Sequence, residues 1–261
     1  MKRTTWATLA LASLVCGSAQ AGRRTLGFTP DATQLPPGVV EIEQWLWSRA
    51  YVDDVPGASS GWLWFSPIVG VSERLELALP WQINANKAAT RLIAFGIEGR
   101  YAFFDPIDET LLFRPQLRVG WQQNFGHPDE GPYWSVPWLT IQFVGTIGDP
   151  RRQHVSFDIG LNTDFKATDG FHEHQLGLGA VTPFPLFEQL LVGAEYRHQI
   201  TMGTGIGLGP VPLPVPERRW FFLGPTAAYA RGRLWTSFAL LVGVGELAPR
   251  FMPRLSLGLV L

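Results

Sequence analysis

Phe113-Arg114-Pro115-Gln116-Leu117-Arg118-Val119-Gly120-Trp121-Gln122 is the stretch that decides the fold. Its odd positions are all apolar, and its even positions are Arg, Gln, Arg, Gly and Gln. An amphipathic helix would space its apolar residues three and four apart, whereas a strand sends alternate residues to opposite faces. The segment is therefore a strand with one apolar face and one polar, charged face. The same alternation recurs in Leu75-Glu76-Leu77-Ala78-Leu79-Pro80-Trp81-Gln82-Ile83, and around Phe95, Ile97, Tyr101 and Phe103 with Glu98 and Arg100 between them. It returns in Val155-Ser156-Phe157-Asp158-Ile159-Gly160-Leu161-Asn162 and closes the chain at Arg254-Leu255-Ser256-Leu257-Gly258-Leu259-Val260-Leu261.

Division at the turn-forming residues predicts about twelve strands of roughly ten residues, the length a tilted strand needs to cross a bilayer. The predicted spans are 38–50, 60–71, 74–83, 91–104, 111–124, 134–147, 153–164, 173–183, 188–199, 218–230, 233–245 and 252–261. Odd-numbered connections are long and rich in Gly, Pro and polar residues, as at 52–59, 125–133, 164–172 and 200–217. Even-numbered ones are short, as at Ser72-Glu73 and Arg231-Gly232. Long loops on one side and tight turns on the other are the asymmetry of outer-membrane barrels with periplasmic termini. Apolar aromatics gather near strand ends: Trp81, Trp121, Tyr133, Tyr196 and Phe221 toward the long loops, and Tyr101, Phe103, Phe113 and Tyr229 toward the short turns. These are the two girdles expected at the headgroup levels. The fold class is an all-β, closed, antiparallel up-and-down transmembrane β-barrel.

A soluble β-sandwich or lipocalin-like barrel would also alternate, but with its apolar face inward. The apolar face carries bulky residues in nearly every strand, while the opposite face carries Arg, Glu, Gln, Asn and Gly, and soluble barrels do not fill a lumen with that many charges. Composition agrees: 46% of residues are hydrophobic and only 16% charged, against roughly 25% in soluble domains.

Lys2 and Arg3, the apolar stretch Trp6–Val15 and the small residues of Ala19-Gln20-Ala21 read as a secretory signal over residues 1–21. Its apolar part is too short to span a bilayer as a helix. Val15 before Cys16 fits lipoprotein processing poorly. Removal of 1–21 leaves 19 basic against 22 acidic residues, which is no footprint for nucleic acid, and takes away the only cysteine. Residues 22–37 read as a short periplasmic N-terminal segment and 38–261 as the barrel. The expected location is the outer membrane, with lipid, lipopolysaccharide and the barrel-assembly machinery as partners.

If the charged face lines the lumen, Glu41, Glu43, Glu76, Glu98, Arg100, Arg114, Arg118, Asp158, Glu195, Arg197 and Arg254 lie inside, Arg49 with them. Arginine suits a confined polar interior because its fork pairs with carboxylates and stays charged. Facing lipid, it would cost about 2–4 kcal/mol near the midplane. Hairpin geometry predicts a Glu98–Arg114 or Glu98–Arg100–Arg114 cluster. These residues either neutralise one another and fill the lumen or form the walls of a narrow pore. The Gly- and Pro-rich connection 201–216 either folds over the mouth or stays in solvent.

Catalysis has little to stand on. His154-Val155-Ser156 puts His and Ser on one strand face with Asp158 beyond, but such coincidences are common on polar faces, and a hydrolase would need the three in hydrogen-bonding order. His172-Glu173-His174 is a pair of imidazoles without further ligands for a metal. The reading is non-enzymatic, with no cofactor and no metal.

The alternating C-terminal strand is similar to the assembly signal of outer-membrane proteins, although it ends in Leu261 where Phe is commoner. Phe28-Thr29-Pro30-Asp31-Ala32, Leu35-Pro36-Pro37-Gly38-Val39-Val40-Glu41-Ile42-Glu43 and Glu73-Arg74-Leu75-Glu76-Leu77-Ala78-Leu79-Pro80-Trp81 together resemble Gram-negative barrels assigned as transporters of the phenol meta-degradation type. The resemblance implies passive uptake of small, hydrophobic or aromatic solutes and carries over no site residues. The alternatives are a sealed structural or surface-interaction barrel and an outer-membrane lipid hydrolase.

Overall fold

The computed structural model describes residues 24–49, 60–85, 90–105, 108, 110–125, 137–164, 172–202, 218–245 and 248–261. The signal segment, Cys16, Tyr133 and most of the Gly- and Pro-rich connection lie outside the described residues, and of Arg49 only the backbone is described. Thirteen strands form one antiparallel sheet: β1 (Val40–Arg49), β2 (Ser60–Gly70), β3 (Leu75–Ala78), β4 (Trp81–Ala85), β5 (Thr90–Ala102), β6 (Phe113–Asn124), β7 (Trp138–Gly148), β8 (His154–Asp164), β9 (His172–Phe184), β10 (Phe187–Met202), β11 (Arg218–Arg231), β12 (Leu234–Val244) and β13 (Phe251–Val260). No helix occurs among the described residues.

β3 and β4 are two halves of one stave, since both pair with β2 on one side and β5 on the other. The break falls at Leu79-Pro80, where proline has no N–H to donate. Leu79 still donates to the Pro67 carbonyl at 2.9 Å, and Gly96 donates to that of Pro80 at 2.8 Å, so the wall stays continuous. Twelve staves result, as the periodicity predicts, and the predicted spans match the strands closely. β1 pairs with β13, Glu41 opposite Val260 through Trp47 opposite Arg254, and closes the barrel. Closure leaves no strand edge where lipid could offer no hydrogen bond.

The facing of the alternation is settled by exposure. On β13, Phe251, Leu255, Leu257 and Leu259 point outward while Met252, Arg254 and Ser256 are buried inside; on β6, Val119 and Trp121 point out while Arg114, Gln116 and Arg118 are buried. The outer surface is an apolar band, the surface a bilayer core covers. Ile159, on that band, is 57% exposed. Ile159→Arg is expected to lower barrel stability by about 2–4 kcal/mol if the residue lies near the midplane. Urea unfolding of the barrel folded into liposomes measures it, and an unchanged midpoint would contradict the lipid-facing assignment.

Residues 22–37, expected as a periplasmic lead-in, are placed differently where they are described. Leu26, Phe28, Ala32 and Leu35 are all buried, and they lie within the barrel. Roughly eight staves are filled by their own side chains and about sixteen leave an open channel, so a twelve-stave lumen has room for a peptide segment to lie in it.

Candidate functional site

The lumen holds a plug, Arg24–Leu35, whose apolar side chains each enter a separate wall cluster. Leu26 packs with Val181, Leu191 and Ala228; Phe28 with Trp220, Phe222, Leu241 and Met252; Ala32 with Ala102, Phe104 and Val144; Leu35 with Ile68 and Ala78. Close approach needs missing side chains on the wall. A Cβ at Gly179 would sit 2.7 Å from both Leu26 methyl carbons, and one at Gly70 would run into the backbone at Leu35 and Pro36.

Polar contacts hold the plug's backbone. Glu195 takes three consecutive amides, from Gly27 at 2.5 Å and from Phe28 and Thr29 at 2.8 Å each. The Glu76 carboxylate accepts from the Leu35 N–H, and Thr146 Oγ1 accepts from Ala32 at 2.8 Å. In the other direction, Arg118 donates to the Asp31 carbonyl at 3.0 Å and Gln116 to that of Thr33 at 3.0 Å. Arg24 pairs with Glu43. Buried polar groups without partners are costly, so a segment this well satisfied has a defined seat.

Asp31 is the plug's most heavily bonded side chain. Its Oδ2 accepts from the Thr25 N–H and hydroxyl at 2.7 Å each, while Oδ1 receives the Ser156 hydroxyl at 2.6 Å and lies 3.1 Å from His154 Nε2. Burial opposes charging of this carboxyl, but the His154 imidazole and the bonds from His154, Ser156 and Thr25 outweigh it and hold Asp31 below the usual carboxylate range. The Ser156 hydroxyl thus bonds to Asp31 rather than to His154, and Asp158 accepts from Gln142 at 2.8 Å instead. This is not the order a nucleophilic serine requires.

All eleven charged residues read as lumenal face the interior. Glu98 meets Arg100 Nε at 2.5 Å, and Arg100 reaches toward Glu43 and Glu76 at 3.8 Å each. The expected third member, Arg114, is elsewhere, donating to the Gly148 carbonyl at 2.5 Å. The reason is register: β5 ends at Ala102 and β6 begins at Phe113, so the longer connection puts Arg118, not Arg114, opposite Arg100. Glu41 accepts from Trp235 Nε1 at 3.2 Å; Arg197 donates to Gln175 and, at 3.4 Å, to the Phe28 carbonyl. The imidazoles of His172 and His174 are exposed, with His172 Nδ1 2.7 Å from the Thr163 hydroxyl.

The half of the lumen toward the long connections is aromatic. Trp45 stacks on Trp64 with centroids 5.4 Å apart, and Trp47 on Trp62 at 4.3 Å. The guanidinium carbons of Arg24 and Arg254 each lie 4.1 Å from the Trp45 ring centroid, and that of Arg254 lies 5.2 Å from the Phe28 ring. Sequence reasoning did not single out these tryptophans. The signal was present, because Trp45 and Trp47 share the odd parity of Glu41 and Glu43 and must point where those carboxylates point. Asp31 had no such signal, since the plug has no period.

No known protein family and no curated protein sequence matches this chain. Among solved structures it is similar to an outer membrane channel from Pseudomonas putida F1, at 12% identity over 88% of this chain and 98% of the other, with a TM-score of 0.52. It also aligns with the β domain of the Bordetella autotransporter BrkA (11% identity, 86% and 100% covered, TM-score 0.48). The translocator domain of the autotransporter NalP from Neisseria meningitidis aligns at 9% identity, 86% and 89% covered, TM-score 0.47. At these identities the likeness is one of fold: a closed outer-membrane-type β-barrel.

Proposed function

We propose that this chain resides in the outer membrane and passes small solutes through its lumen when the plug leaves its seat. The observation that carries this is what fills the barrel. The lumen is occupied by Arg24–Leu35, a segment that belongs to no strand, inside walls that complete their own ladders without it. A barrel meant to be permanently sealed could fill its interior with strand side chains, as narrower barrels do. The fold shared with a Pseudomonas channel supports the reading, as does the apolar outer band. The aromatic upper lumen favours hydrophobic or aromatic solutes. The chain is read as non-enzymatic, in keeping with the hydrogen-bonding order around Ser156.

Glu195→Ala tests it. The substitution strips the shared acceptor from three plug amides, and bonds to a charged acceptor contribute roughly 1.5–3 kcal/mol each. Some of that returns through water, leaving a loss of about 3–5 kcal/mol and an open-to-plugged ratio raised by roughly a hundred- to several-thousandfold. In planar bilayers the variant is expected to open far more often than the parent. Equal, silent traces from both would favour the sealed barrel acting through its loops.

A further inference from the structure

The plug places a benzyl group in an aromatic pocket of the barrel wall. The Phe28 ring is buried among Trp220, Phe222 and Met252, with Trp47 packed against the cluster. Over it lies Arg254, a guanidinium only 8% exposed and flanked by two aromatic faces, Phe28 and Trp45. Among the described residues, Arg254 Nε and Nη2 have no hydrogen-bond partner. That is unusual for the most demanding donor set among side chains, and it contrasts with Arg100 and Arg118, whose forks are engaged by Glu98 and by Gln116 and the plug carbonyl.

Local charge points the same way. Among the described residues, the charges that act most strongly on Arg254 include Arg24, Arg197, Glu43 and Glu195. Glu43 is paired with Arg24, and Glu195 is taken up by three plug amides. Both of these carboxylates are thus engaged elsewhere, and Arg254 lies beside a slot that already accepts a benzene ring. The parallel faces of Trp45–Trp64 and Trp47–Trp62 line the approach from the long-connection side.

We propose that Phe28 is the resident occupant of a solute site, and that a planar aromatic carboxylate competes with it, its ring taking the place of the benzyl group and its carboxylate supplying the acceptor that Arg254 lacks. The proposal rests on the reading of the chain as a plugged passage and names the solute class of that lumen. The chemistry is complementary on both counts: aromatic faces and a guanidinium fork recognise a flat ring and a bidentate anion. Phe28 then acts as an internal competitor, and a solute that wins its place loosens one of the plug's four apolar anchors.

The experiment is equilibrium dialysis of radiolabelled benzoate against the full chain in detergent micelles, with protein-free micelles as the blank. Heat-modifiable gel migration reports that each variant is folded. Phe28→Ala is expected to bind benzoate about tenfold more tightly than the parent, because the competitor no longer reduces the competent fraction. Phe28→Leu, which keeps apolar bulk, is expected to fall between and keeps the comparison open if the alanine variant does not fold. Adding Arg254→Met to the variant used is expected to abolish the gain, and unlabelled acetate is expected not to compete. Equal affinity in the parent and the Phe28 variants would overturn the proposal. So would binding that survives Arg254→Met, or effective competition by acetate. Because dialysis involves no passage, binding without conductance would count against the transport reading alone, and conductance without binding against this site alone.

Discussion

A chain lacking residues 24–35 is expected to conduct in planar bilayers in steps several-fold larger than any the full chain shows. The barrel should survive the deletion, because every stave pairs with two staves and β1–β13 closes the ring without help from the plug. The ladder hydrogen bonds that a bilayer makes obligatory are thus untouched. The plug's partners lose their contacts, yet they lose them to water entering the lumen rather than to hydrocarbon. Glu195, Glu76, Thr146 and Arg118 exchange plug groups for water, and the wall clusters around Leu26, Phe28, Ala32 and Leu35 become hydrated. Each apolar anchor contributes roughly 1.5–3 kcal/mol of burial for the larger side chains, so the seat is strong but finite. A folded deletion variant as silent as the parent would show that something other than the plug seals the passage.

Arg100→Met is expected to cost about 3–5 kcal/mol of barrel stability, the loss typical when one partner of a buried ion pair is removed. Arg100 is the cation common to three carboxylates, bonded to Glu98 at 2.5 Å and 3.8 Å from both Glu43 and Glu76. Both Arg100 and two of those carboxylates are buried. Methionine keeps the volume and removes the charge, so Glu98 is left facing two other carboxylates across a low-dielectric interior. Adding Glu98→Gln should recover part of the loss, since it lowers the uncompensated charge. Denaturant unfolding in liposomes reads both steps. A midpoint unmoved by Arg100→Met would mean that water, and not the arginine, neutralises this cluster.

How much of this could be read in advance differs by element. The strands 113–124, 154–164 and 251–260 were legible because facing is a local property: a period of two and a charged alternate face admit one arrangement in lipid. The lumenal position of Glu195 followed from the same parity, but its task did not, because the amides it accepts are 166 to 168 residues away in the chain. Arg114 shows the intermediate case. Its face was predictable, whereas its partner depended on how the 103–112 connection set the register.

The amino-acid order alone determined that this chain makes about twelve alternating strands, that one apolar face of each, with its leucines and girdle aromatics, turns outward and that arginines and glutamates face a shared interior. Alternation is written residue by residue, and each strand carries it independently of the rest. Only the tertiary structure decided what occupies that interior. Arg24–Leu35 has no period to announce a face, and its place exists only once twelve staves have closed around it and brought Glu195, Thr146, Glu76 and Arg254 to one cavity.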